Sequence, residues 1–367
     1  MMEIVRSVKH YAKGARYLGY DALFNLRKGA GVAKINPPKV RVEKPEKIKK
    51  VLFCLNRHEY GREEWGDSYE YANIYPAIKD IVKCDVFDFR KYKRKNGKGE
   101  MHKYLEKVAK EGEYDLMIFS LMVDDFDRNV IRKISEESPA ITMNWFADDQ
   151  WRFASFTNYW AGAFNFCTTT DKEAVGKYQE LGYGNVIHTQ WGVYEPRFGV
   201  KGEFGKDVDI GFVGQKYGGR GKIVELLRGR GLDVKAFGSG WEGGRVEHQQ
   251  MVDVFANAKI MISPADSSIL FAPRQMKSRF FEVAACGGFQ LAGHVEELGD
   301  YFEEGKEIVM YKDLEDLAKK AEYYIENEGE RKRIADAGKK RCLKEHTYQK
   351  RFKEIFREIE EKVGKSR

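Results

Sequence analysis

Short apolar runs alternate with longer amphipathic stretches along the chain from about residue 50 onward. Runs that are apolar throughout are typical of parallel strands buried on both faces, and the stretches between them have helical spacing. The pattern predicts strands at 49–56, 85–89, 116–120, 141–146, 164–168, 186–188, 208–213, 234–237, 259–263 and 289–291. We therefore expect an α/β fold with parallel sheets covered by helices on both faces.

The alternation pauses once, in the glycine-rich segment from Trp191 to Asp207, and then restarts. A chain of 367 residues is too long for one ordinary core. We expect residues 50–200 and 201–345 to form two doubly wound, Rossmann-like domains, with 346–367 as a C-terminal helix that packs back on the first. Ligands of such sheets bind at the carboxyl ends of the strands, so the expected site is the cleft where the two domains face each other.

Residues 1–49 have a different character. The first fifty residues hold thirteen lysines and arginines against four acidic residues, although the net charge of the whole chain is only +7. Apolar positions at helical spacing predict a basic amphipathic helix over 3–28, followed by a proline-containing linker. Two roles stay open for this helix: docking on the body of the protein, and peripheral contact with an anionic membrane surface. Nucleic acid is not an expected partner, because no recognisable nucleic-acid-binding module follows.

Composition narrows the class of protein further. Hydrophobic residues make up 42% of the chain, enough for filled cores, but no apolar run is long enough to span a membrane. The five cysteines are widely spaced without a CxxC pair, and the histidines are scattered. This pattern argues against a disulfide framework and against a metal site. We expect a cytoplasmic protein that is at most peripheral on the inner face of the membrane.

The first candidate motif is GFVGQKYGGRGK, residues 211–222. It predicts a strand, a glycine-rich turn and the start of a helix, an arrangement that favours an anion near the helix N-terminus. Gly214, Lys216 and Arg220 are the candidate phosphate-binding residues. The alternative is a flexible turn with solvated cations.

The second motif is FGSGWEGG, residues 237–244. Its glycines spell GxGxxG after a strand, with Asp266 further along, which taken alone suggests a dinucleotide-dependent oxidoreductase. However, the motif follows the second strand of its domain, and its third glycine is not clearly in a helix. A turn that passes close to a nucleotide, with Gly238, Gly240 and Trp241 in contact, explains the glycines equally well.

The third motif is FAPRQMKSRFFEVAACGG, residues 271–288. Pro273 suits a helix start, which would crowd Arg274, Lys277 and Arg279 into the first turns, where cations are unfavourable unless an anion is bound. Glu282 follows Arg279 by three residues, so the two side chains can meet. They form either a structural ion pair, or a site in which arginines hold phosphates and Glu282 accepts hydrogen bonds from sugar hydroxyls.

A family resemblance extends over roughly residues 50–350. The stretch from RFFEVAACGG to AEYY, followed by RIADAGKKRCLKEHTYQKRF, resembles the C-terminal domain of group 1-type glycosyltransferases, closest to the spore maturation protein CgeB-like subgroup. GFVGQKYGGR and VKAFGSGW are similar to the opening segments of that domain. NWFADDQWRF and CTTTDKEAVGKYQELGY resemble its N-terminal companion, and WGVYEPRF the interdomain segment.

The resemblance implies a GT-B fold whose C-terminal domain binds the donor. It implies a hexosyl- or related transferase that moves a sugar from UDP or GDP to a hydroxyl acceptor (glycan, lipid-linked or protein), with retention and without metal or cofactor. Glu282 would bind the donor ribose, and Arg220 and Arg279 the pyrophosphate. Where many retaining members carry a second glutamate, eight positions before Glu282, this chain has Arg274.

Sugar transfer to a hydroxyl also needs a general base. Asp149, next to Asp148 after the strand ITMNWF, and His58, after the first strand, are the candidates; solvated loop aspartates are the alternative for the first. Two further functions stay open. One is a degenerate GT-B module that binds nucleotide or glycan without turnover, and the other is a related sugar-nucleotide enzyme such as an epimerase.

Overall fold

The computed structural model of the chain describes residues 2–29, 34–39, 46–200 and 207–365. Parts of the expected linker (40–45) and of the expected interdomain segment (201–206) lie outside the described residues. Two compact units are present. The first unit comprises Gly19–Gln190 and Tyr348–Arg367, and the second unit comprises Met1–Leu18 and Trp191–Thr347.

The first unit is built on six parallel strands. Five of them are mostly apolar and largely buried, as expected for strands covered on both faces, whereas the edge strand 83–88 is mixed in character. The strands are β1 (Lys50–Leu55), β2 (Lys83–Asp88), β3 (Leu116–Phe119), β4 (Ile141–Trp145), β5 (Phe166–Thr169) and β6 (Val186–His188). They are ordered β2-β1-β3-β4-β5-β6. Helix α1 (Met2–Gly29) precedes them, and its part from Gly19 onward groups with this unit. The other helices are α2 (Tyr75–Lys79), α3 (Phe89–Asn96), α4 (Lys98–Glu111), α5 (Arg128–Glu137), α6 (Asp149–Arg152), α7 (Asn158–Ala161) and α8 (Lys172–Glu180).

The second unit has a five-stranded parallel sheet. Its strands are β7 (Val208–Val213), β8 (Val234–Phe237), β9 (Ala258–Ser263), β10 (Gln290–Gly293) and β11 (Val309–Tyr311), in the order β11-β10-β9-β7-β8. The helices are α9 (Arg220–Gly229), α10 (His248–Asn257), α11 (Ser278–Ala285), α12 (Leu314–Glu326) and α13 (Glu328–Glu345). Every described residue of α11 from Phe280 to Ala285 is buried, so this helix is enclosed on nearly all sides.

The last helix, α14 (Tyr348–Lys365), groups with the first unit although it follows the second in sequence. Phe352 stacks on Trp145 of β4 with ring centroids 5.6 Å apart. Near its other end, Glu360 accepts a hydrogen bond from the backbone N–H of Ile48 at 2.8 Å. These contacts tie α14 to the end of β4 and to the segment that precedes β1.

The expected doubly wound α/β architecture is confirmed, and each of the ten expected strands is present. One strand was missed: β11 has only three residues, in a short apolar run between Glu307 and Lys312. The expected helix start at Pro273 is wrong, because 272–277 is not helical and α11 begins at Ser278 with Lys277 as its N-cap. The backbone N–H of Gln275 bonds instead to the carbonyl of Ala265 at 3.0 Å, which holds this segment against the end of β9.

In each sheet, successive strands are added first toward one edge and then toward the other, so the strand order reverses at one point. The reversal falls between β1 and β3 in the first unit and between β7 and β9 in the second. Connections leave such neighbouring strands in opposite directions, which opens a crevice at their carboxyl ends where ligands of doubly wound sheets bind. His58 follows β1, the first glycine-rich motif follows β7 and the loop that contains Asp266 follows β9, all strands at these points. The second glycine-rich motif follows the edge strand β8.

Among the helices that the structure describes, none is both long enough and apolar enough to cross a membrane.

Candidate active site

Two glycine-rich loops interlock at the carboxyl end of the second sheet. The N–H of Gly214, just after β7, donates to the carbonyl of Phe237 at 2.8 Å, and the N–H of Lys216 donates to Ser239 at 2.9 Å. The indole Nε1 of Trp241 closes the arrangement by donating to the Gly214 carbonyl at 2.8 Å. The first two motifs therefore form one structural element, which sequence spacing alone did not indicate.

The close approach of these loops explains why Gly238 must be glycine. Its φ is +123°, and a Cβ at this position would lie 2.3 Å from the carbonyl oxygen of Gly214. Gly240 also has a positive φ of +94°. Side chains are thus excluded from the point where the two backbones meet, leaving backbone groups at the surface.

Arg220 is the first residue of α9, directly after the first loop, and its side chain is 9% exposed. Its Nη1 donates to the carbonyl of Gln215 at 3.0 Å, and its guanidinium lies 3.8 Å from the ring centroid of Tyr217. Its buried Nε has no hydrogen-bond partner among the residues that the structure describes. Burial lowers the pKa of Arg220, and the charge of Arg279 acts in the same direction. A buried cation with an unused donor favours an anionic ligand.

Lys216 adds a second positive charge beside the loops. Its Nζ lies 5.0 Å from the ring centroid of Trp241, within cation–π range. The structure therefore brings the six candidates of the first two motifs together at the carboxyl ends of β7 and β8: Gly214, Lys216, Arg220, Gly238, Gly240 and Trp241.

Arg279 and Glu282 form the ion pair that one interpretation of the third motif anticipates. Arg279 Nη1 lies 2.7 Å from Glu282 Oε2, and the carboxylate side chain is only 5% exposed. The guanidinium also lies 4.7 Å from the centroid of Phe255, and its Nη1 is 3.1 Å from Met251 Sδ. Arg279 therefore compensates the charge of a buried carboxylate. A ligand at this point would have to bind to a guanidinium and a carboxylate that already bind each other.

Arg274 lies in the extended segment before α11. Its Nη1 donates to the carbonyl of Lys312 at 3.0 Å, and its Nε is 3.6 Å from Asp266 Oδ1. Both side chains are about two-fifths exposed. Arg274 is thus placed at the end of β11 and not in the first turn of the helix.

Asp149, in the first unit, is enclosed in the interior with 1% exposure. The hydroxyl of Tyr178 lies 3.3 Å from each of its carboxylate oxygens. Burial raises the pKa of Asp149 to about 6, although hydroxyl groups of Thr157, Thr169 and Tyr178 act against that rise. A carboxylate so enclosed is poorly placed to take a proton from a bound acceptor.

His58 lies at the carboxyl end of β1 with its side chain 17% exposed. Its Nδ1 is 3.9 Å from Asp67 Oδ1, and its Nε2 is 4.0 Å from Glu63 Oε1. The imidazole therefore has carboxylates on two sides that can orient it.

Glu70 is a candidate that sequence reasoning missed. It opens a π-helical turn, Glu70–Ile74, and its Oε1 accepts a hydrogen bond from Ser120, the residue after β3, at 3.2 Å. Burial raises the pKa of Glu70, with further upward contributions from Glu59 and Asp148. The available signal was a carboxylate inside the aromatic run SYEYANIY, the same type of signal that singled out Glu282.

Within the described part of the chain, no group of three or more His, Cys, Asp and Glu side chains is arranged to hold a metal ion.

Comparison with known proteins bears on both the family and the fold. Residues 220–357 match a family described as glycosyl transferase-like. No protein with a curated description matches the sequence. A glycosyltransferase from Rickettsia africae superposes with a TM-score of 0.62 at 11% identity, covering 87% of this chain and all of its own. Sucrose-phosphate synthase from Thermosynechococcus elongatus gives 0.61 at 10% identity, covering 85% and 99%.

The fold is that of the GT-B glycosyltransferases. HepE of Anabaena, solved with UDP and glucose, is also similar, with a TM-score of 0.56 at 12% identity over 86% of this chain and 99% of its own. The matched family span opens at Arg220 and includes Arg274, Arg279 and Glu282. Within the GT-B fold of this chain, these residues lie in the second unit, as the resemblance implied. The CgeB-like subgroup stays a prediction.

Proposed function

We propose that the chain transfers a sugar from a nucleoside diphosphate sugar, UDP- or GDP-linked, to a hydroxyl acceptor. The observation that carries the proposal is the interlocked pair of glycine-rich loops ending at Arg220, whose buried Nε has no partner among the described residues. Exposed backbone at a helix N-terminus together with buried guanidinium suits a diphosphate. Structures of the similar HepE protein hold UDP-glucose, which supports the same class of donor.

In this proposal the second unit binds the donor. Arg220 and Lys216 stabilise the diphosphate as it leaves, which replaces a metal in that role. The Glu282 carboxylate, which Arg279 orients, accepts hydrogen bonds from the ribose hydroxyls. Retention of configuration, metal independence and a cytoplasmic location remain parts of the proposal.

The first unit then supplies the acceptor site and the base. His58 and Glu70 both follow β1, and Glu70 meets Ser120 at the end of β3, the other strand at the reversal point of the first sheet. Burial raises the pKa of Glu70, which favours a role in proton transfer. Asp149 is the weaker of the predicted bases because it is enclosed. The acceptor is a hydroxyl of a glycan, a lipid-linked sugar or a protein.

A thermal-shift panel of UDP, GDP and NAD tests the donor half. We expect stabilisation by one nucleoside diphosphate and none by NAD. The loops suit a diphosphate, and the second motif does not have the strand–turn–helix arrangement of a dinucleotide site. Arg220→Gln should lower the apparent affinity for the nucleotide, derived from the thermal shift, at least tenfold. Lys222 is an exposed cation on the same helix, so Lys222→Gln should leave that affinity unchanged. Stabilisation by NAD alone would contradict the proposal.

A module that binds without turnover is the second candidate, favoured by the enclosure of Asp149 and by the closed Arg279–Glu282 pair. Acceptor-dependent release of nucleotide from a donor sugar distinguishes the two. Release only when an acceptor is added supports the transferase, and binding without any release in the presence of a broad acceptor set supports the module. An epimerase would instead change the donor sugar without releasing nucleotide.

We also propose that α1 contacts an anionic membrane surface. Leu18, Leu23 and Leu26 are 47%, 54% and 73% exposed, and Lys13 and Arg16 are exposed on the same helix. Apolar and basic side chains together suit the boundary of a bilayer with anionic headgroups. Sedimentation with phosphatidylglycerol vesicles, but not with phosphatidylcholine vesicles, is the expected result, and Leu23→Ser with Leu26→Ser should abolish it. Equal binding to both vesicle types would contradict the proposed role of the anionic headgroups.

A further inference from the structure

Tyr311, the last residue of β11, carries a hydroxyl group that the fold leaves without a hydrogen bond. Its side chain is 3% exposed, and no described residue accepts from or donates to its oxygen. Leaving a buried hydroxyl unpaired is unfavourable, so such groups usually meet water or a ligand. Tyr311 pairs in register with Gly293, which places this residue at the carboxyl edge of the second sheet.

Asp266 and Arg274 converge on the same strand end. Arg274 Nη1 donates to the carbonyl of Lys312, the residue that follows Tyr311, and its Nε is 3.6 Å from Asp266 Oδ1. That distance is longer than a hydrogen bond, so both groups retain bonding capacity. Burial raises the pKa of Tyr311, and the charges of Asp266, Arg274 and Arg220 all act on it. The contact of Arg274 with Lys312 and its approach to Asp266 place the three residues at the same strand end.

The chain before Arg274 is unusually shaped. Phe271 has a φ of +69°, a left-handed conformation that bulky residues rarely adopt. Residues 272–277 then run without helical structure into the N-cap of α11. This strained turn is what carries Arg274 to the end of β11, and strain of this kind concentrates where geometry serves a ligand.

We propose that Asp266, Arg274 and Tyr311 form the subsite that binds the hydroxyl groups of the donor sugar, and that Asp266 selects an uncharged sugar. This inference rests on the proposed function above. Sugar hydroxyls both donate and accept; the carboxylate accepts, the guanidinium donates, and the phenol does either. The diphosphate belongs at Arg220, because the Asp266 carboxylate offsets the charge of Arg274, 3.6 Å away, and leaves no net positive charge for an anion. For the same reason a sugar oxidised to a uronate gains no net attraction here and loses the hydration of its carboxylate.

Calorimetric titration of Asp266→Asn tests the selection. The probes are UDP, UDP-glucose and UDP-glucuronate, with GDP, GDP-mannose and GDP-mannuronate as the corresponding guanosine set. The wild-type protein should bind the neutral sugar nucleotide more tightly than the bare nucleotide and more tightly than the uronate. In Asp266→Asn the gain in affinity that the neutral sugar adds to the bare nucleotide should fall about tenfold, because a hydrogen bond to a charged group is lost. Affinity for the bare nucleotide should not change, and discrimination against the uronate should shrink.

Tyr311→Phe separates a ligand contact from a structural role. The variant removes only a hydroxyl without a described partner, so the melting temperature of the ligand-free protein should be unchanged or higher. The gain in affinity from the neutral sugar should nevertheless fall severalfold. Tyr324→Phe, a buried tyrosine on α12, and Asp336→Asn, an exposed acid on α13, are the matched controls and should leave the gain unchanged.

The outcomes distinguish this subsite from the function on which it rests. If the wild-type protein binds none of the nucleotides, the proposed function fails and the subsite fails with it. If nucleotides bind but the sugar adds no affinity, or if both variants retain the full gain, only the subsite is overturned. A uronate that binds more tightly than its neutral counterpart overturns the selection by Asp266.

Discussion

At the scale of single residues, Asp149 couples stability to pH. Its pKa rises from 3.8 in the unfolded chain to about 6 in the fold, with burial as the main cause. The folded state therefore holds the proton more tightly, so the contribution of this group to stability is fully present below pH 3.8 and is lost as the pH rises through about 6. The loss amounts to roughly 3 kcal/mol, from about two pKa units of 1.36 kcal/mol each.

Urea denaturation between pH 4 and pH 8 checks this prediction. Asp149→Asn should remove the decline that occurs between pH 4 and about 6, so the variant should be closest to, or above, the wild-type stability at pH 8. Asp148→Asn, the partly exposed neighbour, is the matched control and should follow the wild-type curve. A constant offset between Asp149→Asn and the wild-type protein across the whole range would contradict the assignment.

Gly238 is the residue where the backbone leaves least room. Gly238→Ala should lower stability by about 2 kcal/mol or more, because the new Cβ meets the Gly214 carbonyl at 2.3 Å and the residue needs a positive φ. Affinity for the nucleotide should fall as the loops separate. Gly219→Ala, in the same motif, is the control: its Cβ meets no atom within 4 Å, so its effect should be within about 0.5 kcal/mol. Similar losses in the two variants would show that the contact with Gly214 does not matter.

At the scale of elements, α11 depends on a buried ion pair. Arg279→Met leaves the Glu282 carboxylate buried without its partner and should lower the free energy of unfolding by about 3–5 kcal/mol. Adding Glu282→Gln should recover much of that loss, because the uncompensated charge disappears. Lys332→Met breaks an exposed ion pair with Asp336 and should change stability by less than about 1 kcal/mol. Chemical denaturation measures all three, and no recovery in the double variant would indicate that Arg279 acts through packing alone.

Element boundaries show where sequence patterns lose information. Buried strands such as β3 are apolar throughout, so they stand out from their neighbours in the sequence. β11 was missed because its apolar run, bounded by Glu307 and Lys312, is too short to show a periodicity. The start of α11 was misplaced because proline suits a first turn by local preference, whereas here a hydrogen bond from Gln275 to Ala265 keeps the segment extended. A tertiary contact decided that boundary.

At the scale of the whole molecule, the two units should respond separately to damage. Phe352 and Ile359 of α14 are fully buried in the first unit. Phe352→Ala with Ile359→Ala in the full chain should lower the stability of that unit by several kcal/mol. Hydrogen exchange should then accelerate in β1–β6 and remain protected in β7–β11. Arg357→Ala, on the exposed face of α14, should change neither set, and uniform loss of protection would show that the units unfold together.

Local periodicity was sufficient to determine the doubly wound α/β architecture, ten of its strands and the glycine-rich motifs, because these features depend on neighbours within a few residues. The tertiary structure alone decided which polar groups meet. It enclosed Asp149 against Tyr178, brought Glu70 to Ser120 and placed Arg274 at the carbonyl of Lys312, next to Tyr311. Such contacts join residues that are far apart in sequence, and their partners depend on strand order and on close packing, which no local pattern records.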